Sequence, residues 1–271
     1  MSWSAKQYVA FEDERTRPVR DLLAALPPID ARSVIDLGCG PGNSTEVLAQ
    51  RYPSARVGGI DSSPDMIAAA RRRLPQADFA VEEVRTWSSA GLNAAGLSAA
   101  GANAGGPFDV ILANAVLQWV PGHATLLPEL IGKLAPQGGL AVQMPDNLEE
   151  PAHRLMRQIA REGPWAAKLA DAAAARTPLA SMDWYYDLLQ PLCTRVDFWR
   201  TTYYHVLAGG ATAVVEWFTG SGLRPFVEPL DDAERSAYLE RYTAAIAGAY
   251  PAAANGTVLL PFPRMFMLAI R

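Results

Sequence analysis

The sequence predicts an α/β fold, a doubly wound and mostly parallel seven-stranded sheet with a helical cap over its carboxyl edge. Three observations lead there. Apolar, β-branched runs recur in the first half of the chain, as in SVIDL (33–37), ARVGGID (55–61) and FDVILAN (108–114). Segments of helical period such as STEVLAQRY (44–52) and SSPDMIAAARRRL (62–74) separate them. The first run enters a glycine-rich turn and then a helix. Strands that alternate with helices pair in parallel through right-handed crossovers, which gives the doubly wound sheet.

In chain order, the whole of 1–271 reads as one domain. Residues 1–30 form an N-terminal helix and lid, and Trp3, Tyr8 and Phe11 either fold over a ligand or staple that helix. Residues 31–146 are the ligand-binding core. Its second strand ends at Asp61, where Ser62 or Ser63 caps the next helix and Pro64 suits the first helical turn. A short strand lies near 79–82, FDVILAN is the fourth and GGLAVQMP (138–145) the fifth. Residues 88–106 are almost wholly Ala, Gly, Ser and Asn, with too little large apolar surface to offset ordering entropy, and read as a surface insertion. Residues 150–192, helical in pattern and rich in Trp, Tyr and Arg, are the cap. Residues 193–271 complete the sheet and a substrate pocket, with strands at 195–207 and 264–270 and helices near 211–220 and 231–248.

Composition narrows the function. Half of the residues are apolar and the formal charge is −4, with no basic block, so the electrostatic footprint of a nucleic-acid binder is missing. Cys39 and Cys193 are the two cysteines, too few for a disulfide framework or a zinc cage, and the three histidines are scattered. The first seventeen residues, MSWSAKQYVAFEDERTR, lack a signal peptide's apolar core, and no uncharged apolar stretch approaches the ~18 residues of a membrane span. The expectation is a soluble, cytoplasmic protein without a metal and without an obligate protein partner.

The loop DLGCGPGNST (36–45) spaces Gly38, Gly40 and Gly42 at alternate positions between strand and helix. Without Cβ atoms, these allow a ligand to approach backbone, and the helix amino terminus that follows offers free N–H groups. A dinucleotide fingerprint wants glycine at the sixth place, which here is Asn43. About twenty residues on, Asp61 is placed either to accept hydrogen bonds from a ribose or to cap the next helix.

This order of motifs, DLGCGPG, then GID, then a fourth strand ending in Asn114 with an aromatic nearby, resembles that of the class I methyltransferases, whose fold is Rossmann-like. The resemblance implies S-adenosyl-L-methionine as cofactor. It places the methionine portion on Gly38 and Gly40, the ribose on Asp61, and adenine near Ser62 and Glu83, with Glu82 as the rival of Glu83, and it implies Asp36, Asn43, Met66 and Val84 as further cofactor contacts. Asn114 and Ala115 would lie beside the sulfonium. Further strings, among them RTRPVRDLL, NAVLQWVP, PQGGLAVQMPDN, WRTTYYH and SGLRP, are similar to those of the bacterial trans-aconitate methyltransferase family over nearly the whole chain.

That closer resemblance implies a small tricarboxylate as acceptor. A carboxylate is already ionised at neutral pH, so the chemistry needs positioning and water exclusion, and no catalytic base is expected. The acceptor needs cations and hydroxyl donors, and arginine binds carboxylate at two points. Candidates are Arg200, Tyr203, Tyr204 and His205 in WRTTYYH, then Arg17, Arg224 and Arg264. On a strand Arg200 and Tyr204 share one face while Tyr203 and His205 share the other, so all four cannot face one ligand. Gln118 and Trp119 follow Asn114, and Trp119 either packs on the acceptor or fills the core.

Three other functions fit less well. A nicotinamide oxidoreductase shares the glycine loop but would want the sixth-place glycine and an acid/base pair. A non-catalytic S-adenosylmethionine sensor would lack the arginine- and tyrosine-rich strings. A nucleic-acid methyltransferase would follow Asn114 with Pro-Pro-aromatic, whereas Ala115 and Val116 stand there. Another small carboxylic acid or hydroxylated metabolite remains an alternative acceptor.

Overall fold

The structure, a computed structural model, describes residues 12–90, 107–175, 178–219 and 222–271. The lid aromatics Trp3, Tyr8 and Phe11, and positions 91–106 of the expected insertion, lie outside the described residues. The elements are α1 (Glu12–Ala25), β1 (Ser33–Leu37), α2 (Asn43–Arg51), β2 (Arg56–Asp61), α3 (Pro64–Arg73), β3 (Asp78–Val81), α4 (Val84–Ala90) and β4 (Phe108–Asn114). A 3-10 turn (Leu117–Trp119) leads to α5 (His123–Gly132) and β5 (Leu134–Pro145). Then come α6 (Pro151–Glu162), α7 (Ala170–Ala174), α8 (Met182–Leu189), β6 (Arg195–Ala208), α9 (Gly210–Thr219), α10 (Arg224–Val227), α11 (Asp232–Ala249) and β7 (Thr257–Ile270).

The seven strands form one sheet in the order β3-β2-β1-β4-β5-β7-β6, as the alternation of runs predicts. The pairs from β3 through β5 are parallel. The partner of β5 on its other side is antiparallel, since Gln137 bonds Arg271 while Asp146 bonds Pro263. Strand order reverses at β1, so the crevice beyond the carboxyl ends of β1 and β4 is the switch point at which such sheets bind ligands. Buried Val34, Ile35, Leu37, Val110, Ile111 and Leu112 make the centre of the sheet. Asp109 pins the start of β1 by accepting the N–H groups of Arg32 (2.7 Å) and Ser33 (2.9 Å).

Some boundaries differ from the expectation. α4 continues to Ala90, so positions 88–90 of the expected insertion are helical. β7 begins at Thr257 rather than 264, through Pro261 and Pro263. Proline normally argues against a strand interior because it cannot donate to the ladder. Two prolines two apart lose their N–H on the same side, and on that side β5 has ended at Pro145.

The chain divides into two compact units, one of residues 1–144, 180–200 and 265–271 and the other of residues 145–179 and 201–264. Residues 180–192, expected with the cap, thus group with the sheet, where Tyr185 of α8 bonds His123 of α5. The second unit is organised by α6 against α11. Tyr238 donates to the carbonyl of Met156 (2.9 Å), Tyr242 donates to that of Ala152 (3.2 Å), and the Tyr250 hydroxyl accepts the Ala152 N–H (3.1 Å). Among the described residues no helix is long and apolar enough to cross a membrane.

Candidate active site

At the end of β1 the chain turns through Gly38 and Gly40, both left-handed (φ 64° and 54°), a conformation that costs an L residue strain. The two glycines serve different ends. A Cβ on Gly38 would stand 2.3 Å from Val116 Cγ2, so this glycine admits the chain after β4. A Cβ on Gly40 would meet nothing within 4 Å, so this glycine borders open space. Beneath the loop Asp36 is fully buried and accepts hydrogen bonds from Ser44 Oγ (2.6 Å) and Thr45 Oγ1 (2.7 Å) of α2. Burial pushes its carboxyl up to about 7 against the lowering effect of those hydroxyls, and the charge of Asp61 adds to the rise. Asp36, expected among the ligand contacts, therefore ties the loop to the helix and has no surface with which to touch a ligand. Cys39 is buried and its thiol is raised by burial, which suits packing rather than nucleophilic chemistry.

Asp61 closes the loop from the side of β2. Its Oδ2 accepts the Gly40 N–H (3.0 Å) and its Oδ1 the Ser63 N–H (2.9 Å). Burial raises its carboxyl and these two bonds oppose the rise. The cap of α3 is Ser63, which accepts the Met66 N–H, and Ser62 stays exposed beside Asp61. Met66 and Val84 are both buried. Glu83 is exposed and Glu82 is half-buried, and the backbone N–H of Glu82 bonds the Asp61 carbonyl (3.1 Å), which ties the end of β3 to the end of β2.

At the end of β4 a second strained residue appears. Ala115 has φ 56°, its N–H bonds the Gln143 carbonyl (2.8 Å), and its carbonyl accepts from Gln118 Nε2 (2.7 Å). A left-handed non-glycine persists only where its surroundings over-determine it, and such residues cluster at functional sites. Asn114 Oδ1 is buried without a hydrogen-bond partner, as are both polar atoms of the Asn43 side chain. Orphaned buried polar groups are costly unless something satisfies them. The open space at Gly40, the Asp61 carboxylate and these orphans together fit a polar cofactor laid across the ends of β1, β2 and β4. Trp119 is 42% exposed, which overturns the core-packing reading.

The C-terminal candidates sort differently. In the second unit Tyr203 and His205 are buried, and Arg264 is only 4% exposed. The Arg264 guanidinium lies 4.7 Å from the Phe262 ring centroid and 6.0 Å from that of Tyr203, and His205 stacks on Trp217 at 4.1 Å. His205 and Arg264 both lie against Phe262, and Tyr203 lies against Arg264. Tyr204, 63% exposed, and Arg200, also exposed, lie on the other face of β6, so WRTTYYH is not one constellation. Arg224 is ion-paired with Glu228, the residue that caps α10 (2.5 Å), and Arg17 is exposed on α1. Sequence reasoning missed Val116, Ser44 and Thr45, whose roles depend on what the fold lays against them. Among the described residues no group of three His, Cys, Asp or Glu side chains is placed to hold a metal ion.

Comparison with known proteins identifies the family. A family model described as a methyltransferase domain matches residues 11–204. The chain is 55% identical to a trans-aconitate 2-methyltransferase of Methylobacterium nodulans over 99% of its own length and 98% of that protein. It is 52% identical to one from Rhodopseudomonas palustris strain BisB18, covering 99% of each chain, and 50% identical to one from Azoarcus sp. strain BH72, covering 100% and 99%. Among solved structures, YcgJ of Bacillus subtilis matches with a TM-score of 0.55 at 11% identity over 94% of this chain and 98% of that one, a likeness of fold. The conjunction of the glycine loop, the carboxylate at the end of β2 and near full-length identity to these relatives leaves one conclusion: the chain belongs to the trans-aconitate 2-methyltransferase family of S-adenosylmethionine-dependent methyltransferases.

Proposed function

We propose that this protein methylates a carboxylate of trans-aconitate, releasing the monomethyl ester and S-adenosylhomocysteine. The observation that carries the reading is identity of 50–55% to relatives of that name across 98–100% of this chain's length, motifs beyond the cofactor core included. S-adenosylmethionine supplies an electrophilic methyl group when bound. On this reading Gly38, Gly40 and Asn43 receive its methionine portion, Asp61 its ribose, and Ser62, Met66, Val84 and Glu83 or Glu82 its adenine. Asn114 and Ala115 stand beside the reacting centre. An acceptor carboxylate gains the methyl and loses no proton, so the protein's task is alignment and exclusion of water. Gln118 and Trp119, and separately Arg264, are acceptor-binding candidates on the resemblance to these relatives. The free thiols of Cys39 and Cys193 suit a cytoplasmic setting.

The test is turnover with S-adenosylmethionine and trans-aconitate, run in parallel with cis-aconitate, isocitrate and citrate and read by mass spectrometry of ester and S-adenosylhomocysteine. Preferential methylation of trans-aconitate is expected. Tight binding of S-adenosylmethionine with no ester from trans-aconitate would overturn the acceptor assignment and leave the cofactor assignment standing.

A further inference from the structure

We propose that His123 is a positioning residue for methyl transfer, clamping the Leu117–Trp119 turn to Tyr185 of α8 and so fixing where Gln118 and Trp119 stand at the end of β4. The inference rests on the reading that these two side chains meet the acceptor. His123 Nε2 lies 2.9 Å from the Leu117 carbonyl oxygen, and its Nδ1 lies 2.7 Å from the Tyr185 hydroxyl. A carbonyl only accepts, so Nε2 carries the hydrogen, and in the neutral ring Nδ1 then accepts the Tyr185 O–H. Both ring nitrogens are thereby committed, and Tyr185 is itself anchored, being 1% exposed.

The turn that His123 holds is short, and its Leu117 side chain is buried. A 3-10 turn of three residues makes poorer hydrogen bonds than an α-helix, and the Leu117 carbonyl already accepts from the Val120 N–H (3.0 Å). The imidazole bond arrives at the same oxygen from the start of α5, and through the Tyr185 hydroxyl it connects the turn to α8, far away in sequence. On its other flank the turn is bound by Gln118 Nε2 to the strained Ala115, and Val116 fills the space against Gly38. The segment 115–119 is therefore clamped at both ends, by the glycine loop before it and by His123 after it. Side chains held within a fraction of an ångström of productive geometry by such supporting bonds are what alignment of two reactants requires.

Three variants test this: His123→Asn, His123→Gln and Tyr185→Phe. The asparagine amide reaches only the place of Nδ1, whereas the glutamine amide reaches that of Nε2 and can still donate to Leu117. Loss of the hydrogen bond in His123→Asn is expected to raise KM for trans-aconitate about three- to tenfold, with the S-adenosylmethionine dissociation constant within about twofold of wild type. His123→Gln should recover most of that loss, and Tyr185→Phe, which frees the ring but keeps its bond to Leu117, should fall between. In the ligand-free protein the indole N–H resonance of Trp119, identified through Trp119→Phe, should shift in His123→Asn and return in His123→Gln. An unchanged KM and an unchanged Trp119 resonance in His123→Asn would overturn the proposal. So would a parallel rise of KM and of the S-adenosylmethionine dissociation constant with a lowered melting temperature, which marks a merely structural histidine. Should the wild-type protein make no ester, the acceptor reading fails separately, and the Trp119 resonance still decides whether His123 holds the turn.

Discussion

After β1 the chain offers backbone to whatever binds there, through two left-handed glycines, whereas on β7 it offers one side chain, the buried guanidinium of Arg264 stacked against Phe262. The two regions also bury charge in opposite ways. Asp36 is held by two hydroxyls of the helix that follows it, and its carboxyl rises to about 7. Arg264 lies among aromatic faces, which stabilise a cation through their quadrupoles by ~0.5–2 kcal/mol. The contrast shows how differently the regions respond to change. The loop is sensitive to an added atom at Gly38, and the strand is expected to depend on one particular side chain.

The largest effect is expected in the loop. Gly38→Ala places a methyl group 2.3 Å from Val116 in a left-handed backbone, and overpacking of that kind costs ~1–3 kcal/mol before the backbone strain is counted. S-adenosylmethionine affinity should drop by roughly 100-fold and the melting temperature should fall with it. Gly40→Ala sharpens the point, because its methyl meets no protein atom and should lower affinity while sparing much of the stability. Equal melting temperatures for Gly38→Ala and wild type, measured by calorimetry, would break this account of the loop.

Arg264→Met comes next. If the guanidinium receives an acceptor carboxylate, KM for trans-aconitate should rise by about 10- to 100-fold with S-adenosylmethionine binding kept, as expected for loss of a charged hydrogen bond. Tyr204→Phe on the exposed face of β6 serves as the control and should change KM by less than about twofold. Comparable losses in the two variants would mean that the buried face of β6 has no special part in binding.

The smallest effect concerns Asp36 and pH. Because its folded carboxyl is raised to about 7, the unfolded chain gives up this proton at lower pH than the folded one does. The group's contribution to stability therefore declines as pH rises from the ordinary carboxyl range to about 7, and is level above that. Asp36→Asn removes the slope, so its stability relative to wild type should climb by on the order of a few kcal/mol between pH 4 and pH 8. Urea denaturation of both proteins at several pH values checks this, and parallel curves would refute it.

Much of the cofactor half was legible in the chain itself. Glycine at 38 and 40, a carboxylate at the end of the second β-branched run, and a strand ending in Asn114 are local facts, because a strand-turn-helix unit brings neighbours in sequence together in space. The alternation of Arg200 and Tyr204 against Tyr203 and His205 was legible for the same reason, since the period of a strand is two. The surface insertion was only partly readable, because the helix Val84–Ala90 extends past the point where composition turns to Ala, Gly and Ser. The start of β7 was missed because prolines count against a strand until its neighbour's end is known.

The sequence by itself determined the α/β class, the glycine loop and the two faces of β6, since each follows from backbone sterics and short periodicities acting within one element. Only the tertiary structure decided that Val116 is the neighbour that makes Gly38 obligatory, and that Tyr185 reaches His123. Only the tertiary structure, too, showed that the buried candidate arginine is Arg264 while Arg17 and Arg200 face solvent. The physical reason is that such contacts join residues far apart in the chain, and their existence depends on how whole elements pack, which no local pattern encodes.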